Sequence, residues 1–431
     1  MTKLPRKEAS PPITWFAPRM TTESTESPAQ ISLLRHKQFA LYWWTRVLST
    51  VGYQMFHVAV TWQIYEITNS AFHLGLVGLV LFVPVIAGTF IIGHVADHYD
   101  RRWVIAICQV SKGLGALILL LADYTGYLSV GVIYFVVFIV GIGRAFEGPT
   151  LHTIPASIMP QEVLSRAIAA GATAQQVAVI GGPALGGFLL AWGANFVYLI
   201  CFVLFVIAAA LISLVRIQRP AKVKKAVTLE SVFAGFHFIR TRKVIFGAIT
   251  LDLAAVLIGG VTALLPIFAR DILQTGPEGL GLLRSAPAAG ALMMSGYLSN
   301  IRIDKHAGRI MIGAVVIYGL ATAAFGFSSW LWLSMIMLAI TGAADAVSVV
   351  VRHSLVQTRT PNDMLGRVMA VNSTFTGTTS NLGQFESGVV AALIGAGPAV
   401  VVGGLGAAGI AVLWIKLFPD FWRVQSIIPE K

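Results

Sequence analysis

The chain has 431 residues, 56% of them hydrophobic and only 12% charged, with a formal net charge of +12. Its mean hydropathy is +0.77. Soluble domains carry roughly 25% charged residues, so the composition excludes a set of water-clothed domains and leaves about a dozen lipid-spanning helices of roughly 20 residues each. The apolar runs are far longer than the ~10-residue alternating segments of a membrane barrel, which excludes that architecture too.

Residues 1–38 are polar and proline-bearing, hold no apolar run of signal-peptide type, and read as a tail that is disordered to about Ala29. Apolar runs then predict six spans near 40–64, 73–95, 103–122, 128–149, 165–191 and 195–215. A second six follow near 244–269, 279–299, 309–328, 330–351, 366–394 and 397–418. Between the sets lies a basic segment, 216–243, with Arg216, Arg219, Lys222, Lys224, Lys225, Arg240, Arg242 and Lys243. Its second part, SVFAGFHFIR, carries Phe233, Phe236 and Phe238 and predicts an amphipathic helix on the inner leaflet; a solvated basic linker accounts equally well for its lysine-rich part. The expected fold is all-α and integral to the membrane. Its two six-helix bundles are 39–215 and 244–418, with a C-terminal tail at 419–431.

Charge placement orients these spans. Of the 31 lysines and arginines, Arg46, Lys112 and Arg144 fall within spans, and Arg270 and Arg284 toward the opposite face. All others fall in the tails or in loops that an even number of crossings puts on one side. The positive-inside rule makes that side cytoplasmic, with both termini inside. The same placement speaks against nucleic acid as a partner. Cys108 and Cys201 both sit in apolar runs, as small packing residues do, and no His/Cys spacing suits a metal. No phosphate-binding loop or nucleophile elbow is present, so neither an enzyme nor an ATP-driven pump is expected, and no cofactor.

The chain is also internally duplicated. MPQEVLSR (Met159–Arg166) aligns without gaps with TPNDMLGR (Thr360–Arg367), and in the same register His152-Thr153-Ile154 meets His353-Ser354-Leu355. At a nearby register Gly93-x3-Asp97 faces Gly296-x3-Asn300. A same-sense repeat relates the halves by an axis along the membrane normal.

Gly93–Arg102, GHVADHYDRR, follows the second apolar run and resembles the loop between spans two and three of the major facilitator superfamily. Arg144-x2-Glu147-Gly148 looks like the motif that this superfamily places beside its proton path. Gly182-Pro183-x2-Gly186-Gly187 is similar to the core of its antiporter motif, with Ala169 and Ala178 in place of the usual upstream glycines. GPALGG, MPQEVLSRA and LESVFAGFHFIRTRK resemble the transmembrane secretion effector branch, which includes enterobactin exporters, over about residues 32–418. The resemblance implies a monomeric transporter in a bacterial cytoplasmic (inner) membrane, with a small-molecule substrate and protons as partners.

Ionisable groups within a span cost about 2.5–3.5 kcal/mol on insertion scales and so require a partner or a task. Lys112, Arg144, Glu147, Asp252, Asp345 and Glu386 are the candidates for proton coupling or substrate binding. Arg144 and Glu147 share one helical face, with a static ion pair as the plain alternative; Arg144 and Asp345 occupy matching repeat positions. Arg46 is placed to snorkel to the inner headgroups. Gly93, Asp97, Arg101 and Arg102 are expected to latch the two bundles in one state. His57 and His73 suit interfacial packing better than titration. Gln54, Gln63, Gln175, Gln176, Asn372, Asn381 and Gln384 are expected to line a central cavity with Trp62, Tyr65 and Phe375. The favoured function is proton-coupled efflux of a siderophore or similar amphipathic molecule. Multidrug or macrolide-type efflux, a nutrient symporter of the same fold and a transport-dead sensor are the alternatives.

Overall fold

The computed structural model describes residues 33–216, 229–300 and 306–424, with side chains left out at 34, 89–98, 229–233 and 362–363. The readings made for the N-terminal tail, the lysine-rich stretch after Arg216 and the last residues lie outside the described residues. The long helices are α1 (Lys37–Thr68), α2 (Ala71–His98), α3 (Arg101–Tyr124), α4 (Val130–Thr153), α5 (Gln161–Leu190) and α6 (Ala194–Ser213). After the basic segment come α7 (Leu229–Thr241), α8 (Lys243–Ile258), α9 (Gly276–Leu298) and α10 (Ala307–Gly326). Then follow α11 (Leu331–Arg359), α12 (Asn362–Ile394) and α13 (Ala396–Leu417).

Each predicted span falls on a helix. Eight helices among the described residues are long and apolar enough to cross a membrane. Of the helices on the predicted spans, α1, α8, α9 and α12 fall short of this, being more polar or shorter. Elsewhere apolar side chains point outward: Ile107, Phe135, Phe188 and Val402 are more than half exposed. Exposed Tyr124, Tyr127, Trp192 and Trp330 gather at the turns of one end, where amphipathic rings mark a membrane interface.

Local signals explain the helix ends. Asp100 caps α3 by accepting the Arg102 N–H at 3.0 Å, and Ser129 caps α4 through Val132. The repeated octapeptide is a helix start in both halves: Pro160 and Pro361 stand immediately before the first residues of α5 and α12. The turn that ends each of these helices uses a glycine at positive φ, Gly193 at 114° and Gly395 at 91°, which a side chain would resist.

One expected span is interrupted. The run predicted at 244–269 is α8, then a break through Gly259 and Gly260, then short helical pieces Leu265–Ile267 and Phe268–Ile272. Glycine makes the break tolerable: Gly260 lies against the Gly383 backbone and Gly259 against Tyr318. The Tyr318 hydroxyl donates to the freed Gly259 carbonyl at 2.9 Å, so the broken ladder is satisfied by a neighbouring helix.

Helices α1–α6 pack on one another, α8–α13 do likewise, and the two sets meet along α2 with α12 and α5 with α9. These two seams exchange places under the sequence repeat. The end that carries the start of α1 and the end of α13 is here the terminal end, and the other the distal end. At the distal end one continuous apolar core runs through both halves, from Leu74, Val77 and Val197 to Leu264, Phe268 and Val400. At the terminal end the core is divided. Phe39, Ile105 and Ile154 form a patch in the first half, while Met311, Val351 and Phe421 form a separate one in the second.

The helix expected on the inner leaflet is α7, and several of its described apolar residues meet protein. Ile239 is buried against Val356, Val368 and Val371, Phe236 stacks on Phe375 at 6.1 Å, and Gly235 meets the Arg367 backbone.

Candidate functional site

In the first half a buried ion pair links α3 to α4. Lys112 Nζ lies 2.6 Å from Glu147 Oε2, and the two side chains are 0% and 2% exposed. Gln109 Nε2 donates to Glu147 Oε1 at 2.7 Å, the Ser49 hydroxyl of α1 donates to the same oxygen, and Lys112 also donates to Ser49 Oγ at 2.7 Å. The Lys112 ammonium stands over the Phe205 ring, 4.9 Å from its centroid. Three helices thus converge on one carboxylate. Removing one member of such a pair costs about 3–5 kcal/mol, because the other charge is left buried and uncompensated.

The second half holds a matching cluster. Arg352 Nη1 of α11 lies 2.7 Å from Asp252 Oδ2 of α8, with both side chains almost fully buried. Ser348 donates to Asp252 Oδ1 at 3.0 Å, and Arg352 donates to Thr376 of α12 at 3.0 Å. Asp345 joins Asp252, Ser348 and Tyr318 around one small gap. The two clusters correspond under the repeat. Glu147 aligns with Ser348 in the register of the octapeptides, and Ser49 aligns with Asp252 in that of Gly93 and Gly296. Each half therefore joins its first and fourth helices by a serine–carboxylate hydrogen bond, with the carboxylate on opposite members.

Several expectations are corrected by this geometry. The ion partner of Glu147 is Lys112, not Arg144, whose guanidinium covers the Tyr53 ring at 4.2 Å. Arg144 and Asp345 are not an ion pair among the described residues; Asp345 belongs with Asp252. Arg352, counted above with the charges of an inner loop, is 1% exposed and completes the second cluster. Arg284 lies within α9, one turn from the distal Gly187–Gly281 contact, on the side expected for it. Arg46 does not snorkel: it is 7% exposed, donates to Tyr42 Oη at 2.8 Å and binds Gln175. Gln63 does not line a cavity, since it bonds Asp123 at 2.8 Å and Tyr198 at 2.6 Å within the first half. Trp62 packs on the distal core, and Tyr65 bonds Asp271 across the halves. Glu386 is partly exposed on α12, beside Ser387. His73 bonds Tyr134 at 2.8 Å.

The glycine motif of α5 serves two neighbours. Gly182 and Gly186 lie against Gln54 and Met55 of α1, within the same half. Pro183 and Gly187 lie against α9: a methyl on Gly187 would come within 2.7 Å of Gly281 Cα. In the octapeptide register Gly187 aligns with Gly388, and Gly388 touches Gly75 of α2. The two seams between the halves are therefore glycine-to-glycine contacts in equivalent places, both toward the distal end. Arg270 adds a hydrogen bond to Asn69 at 2.8 Å there.

Of the expected latch, the side chains of Gly93 and Asp97 lie outside the described residues. Arg101 donates to Ser157 at 3.4 Å and Arg102 to the Val215 carbonyl at 3.5 Å. Both contacts stay within the first half.

The family described as transmembrane secretion effector matches residues 28–425. Enterobactin exporter EntS of Citrobacter koseri is 26% identical over 407 residues, 93% of this chain and 96% of that protein. Its counterpart in Escherichia coli O81 is 26% identical over 408 residues, with the same coverage. Among solved structures, a bacterial homologue of the iron transporter ferroportin in an inward-facing state superposes with a TM-score of 0.67 at 17% identity, covering 91% of this chain and all of that one. A D-xylose–proton symporter gives 0.65 at 13%, covering 89% and 98%. These neighbours share the fold. Duplicated helical halves, in-register seams and a family match over nearly the whole length converge: the chain is a multi-pass membrane transporter, not an enzyme, and belongs to the transmembrane secretion effector branch of the major facilitator superfamily.

Proposed function

We propose that this transporter is a proton-coupled exporter of a siderophore or similar amphipathic small molecule, acting as a monomer in a bacterial cytoplasmic membrane. The observation that carries the reading is the contrast between its ends: a core shared by both halves distally, and separate cores at the terminal end. That is the form of an alternating-access carrier open on one side. The lysines and arginines gathered at the terminal end make that side cytoplasmic, so both termini are inside and the conformation is inward-facing. Residues 39–215 and 244–418 are then the rocking bundles, twelve spans in all, with 216–243 as their cytoplasmic link. The exported class rests on the likeness to enterobactin exporters together with the antiporter-like glycines of α5.

Coupling is assigned to Glu147. Its carboxylate is held by Lys112, Gln109 and Ser49, so a proton arriving there competes with the ion pair and frees Lys112. Arg144, Asp252, Asp345 and Glu386 complete the charged lining, and Gly93, Asp97, Arg101 and Arg102 latch the bundles when the terminal side closes. Everted vesicles tested with a catecholate siderophore should accumulate it when acidified inside and leak protons on its addition. The double variant Lys112→Met, Glu147→Leu removes both charges together and so should fold, yet it should lose the proton leak. Accumulation that survives a protonophore, or a proton leak that persists in the double variant, overturns the coupling.

A further inference from the structure

Besides Arg46, which is held by Tyr42 and Gln175, two arginines near the middle of long helices stand outside the buried ion pairs, one in each half. Arg144 of α4 covers the Tyr53 ring at 4.2 Å, and that ring meets His57 edge-on at 6.0 Å. On α9, Gly281 abuts Pro183 and Gly187, while the Ala288 carbonyl accepts a hydrogen bond from Gln176 at 3.3 Å. Arg284 lies between those two contacts at helical spacing, on the α9 face turned toward the first half. It interacts electrostatically with both Tyr53 and His57, and Arg144 also acts on His57.

Among the described residues no carboxylate lies within ion-pair distance of either arginine, and the acid that acts on Arg144, Glu147, is already held by Lys112. His57 Nδ1 is buried with no hydrogen-bond partner. Both arginines are partly buried and act on the same His57; like charges near one another repel, and a charge within a span needs a counter-ion or a task. Guanidinium groups fit carboxylates and related planar oxyanions with two parallel hydrogen bonds.

We propose that Arg144 and Arg284 form a clamp, one jaw from each half, for the acidic group of an organic anion, a carboxylate or ionised catechol whose aromatic body lies along Tyr53 and His57. The proposal rests on the transport reading above and deepens it by naming the charge and shape of the substrate. A bound anion removes the repulsion between the two jaws, so ligand binding itself favours approach of the halves on the terminal side.

The test uses the full chain in detergent and three isosteric probes: naphthoate, naphthylmethylamine and naphthalenemethanol. Calorimetry should show naphthoate binding at least about tenfold more tightly than the neutral alcohol, with the amine failing to compete. Arg284→Gln should remove that preference, and Arg284→Lys should restore part of it, while both variants keep the parent's gel-filtration profile. Equal binding of the three probes overturns the clamp, as does a normal naphthoate preference in Arg284→Gln. The assay needs no ion gradient. Loss of probe discrimination beside intact vesicle export removes the clamp alone; discrimination without gradient-driven export removes the coupling and leaves the clamp.

Discussion

The first and second halves hold their buried charge in opposite senses. In the first, one carboxylate, Glu147, is paired with Lys112; in the second, one cation, Arg352, has two carboxylates near it, Asp252 and Asp345. The helix contact beneath is the same. Ser49 of α1 meets Glu147 of α4, and Asp252 of α8 meets Ser348 of α11. What duplication retained is therefore a hydroxyl–carboxylate bond between two helices, and not the address of the acid. The halves also differ in reserve. Asp345 lies near enough to Asp252 and Arg352 to interact with both, whereas no second carboxylate shares the Lys112 site among the described residues.

The largest expected effect breaks that comparison at its acids. Glu147→Gln strands Lys112 in a dry site and should destabilise the protein by about 3–5 kcal/mol. Asp252→Asn should cost about half as much, since Asp345 can accept Arg352. Thermal melts in detergent separate the two, and equal losses would refute the idea of a reserve carboxylate. A sharper test moves the acid to the helix that carries it in the other half. Ser49→Asp with Glu147→Ser keeps a carboxylate within reach of Lys112, whose Nζ already lies 2.7 Å from Ser49 Oγ. The pair should be coupled by about 2 kcal/mol in a double-mutant cycle, and a purely additive result would show that the acid's helix matters after all. The smallest effect concerns the seams. Gly187→Ala and Gly388→Ala should each cost the distally closed state about 1 kcal/mol through overpacking. Spin labels on Asn69→Cys and Gln274→Cys should report a wider distal gap in both variants; a shift in one alone would mean the seams are not equivalent.

Much of this was legible from the residues. Long apolar runs foretell the helices, because hydrocarbon leaves the backbone few other options, and the octapeptide repeat foretells the duplication, though the paired starts after Pro160 and Pro361 come four residues before the expected 165 and 366. The charged residues named from the spans include Lys112, Glu147 and Asp252, three of the four members of the buried pairs. What escaped is contact between distant segments. Spacing along α4 puts Arg144 beside Glu147, yet the carboxylate turns to α3. Arg352 looked like a loop charge, because the span's polar end hides that α11 continues to Arg359. The break at Gly259 lies inside an unbroken apolar stretch, so hydropathy is blind to it. The glycines of α5 read as an antiporter-like motif, but only the fold tells which of them touch the other half.

That break has a mechanical consequence. The pieces from Leu265 to Ile272 belong to the core shared with the first half and are tied to it by Tyr65–Asp271 and Arg270–Asn69, while α8 belongs to the second half. A strap fixed to one leaf of a door and jointed at the other lets the leaf swing some way before the strap is pulled free. Opening of the distal end should accordingly proceed in two stages, bending at Gly259 and Gly260 first and parting Tyr65 from Asp271 afterwards. Amide hydrogen exchange would register this as early loss of protection between residues 259 and 264 while α8 stays protected.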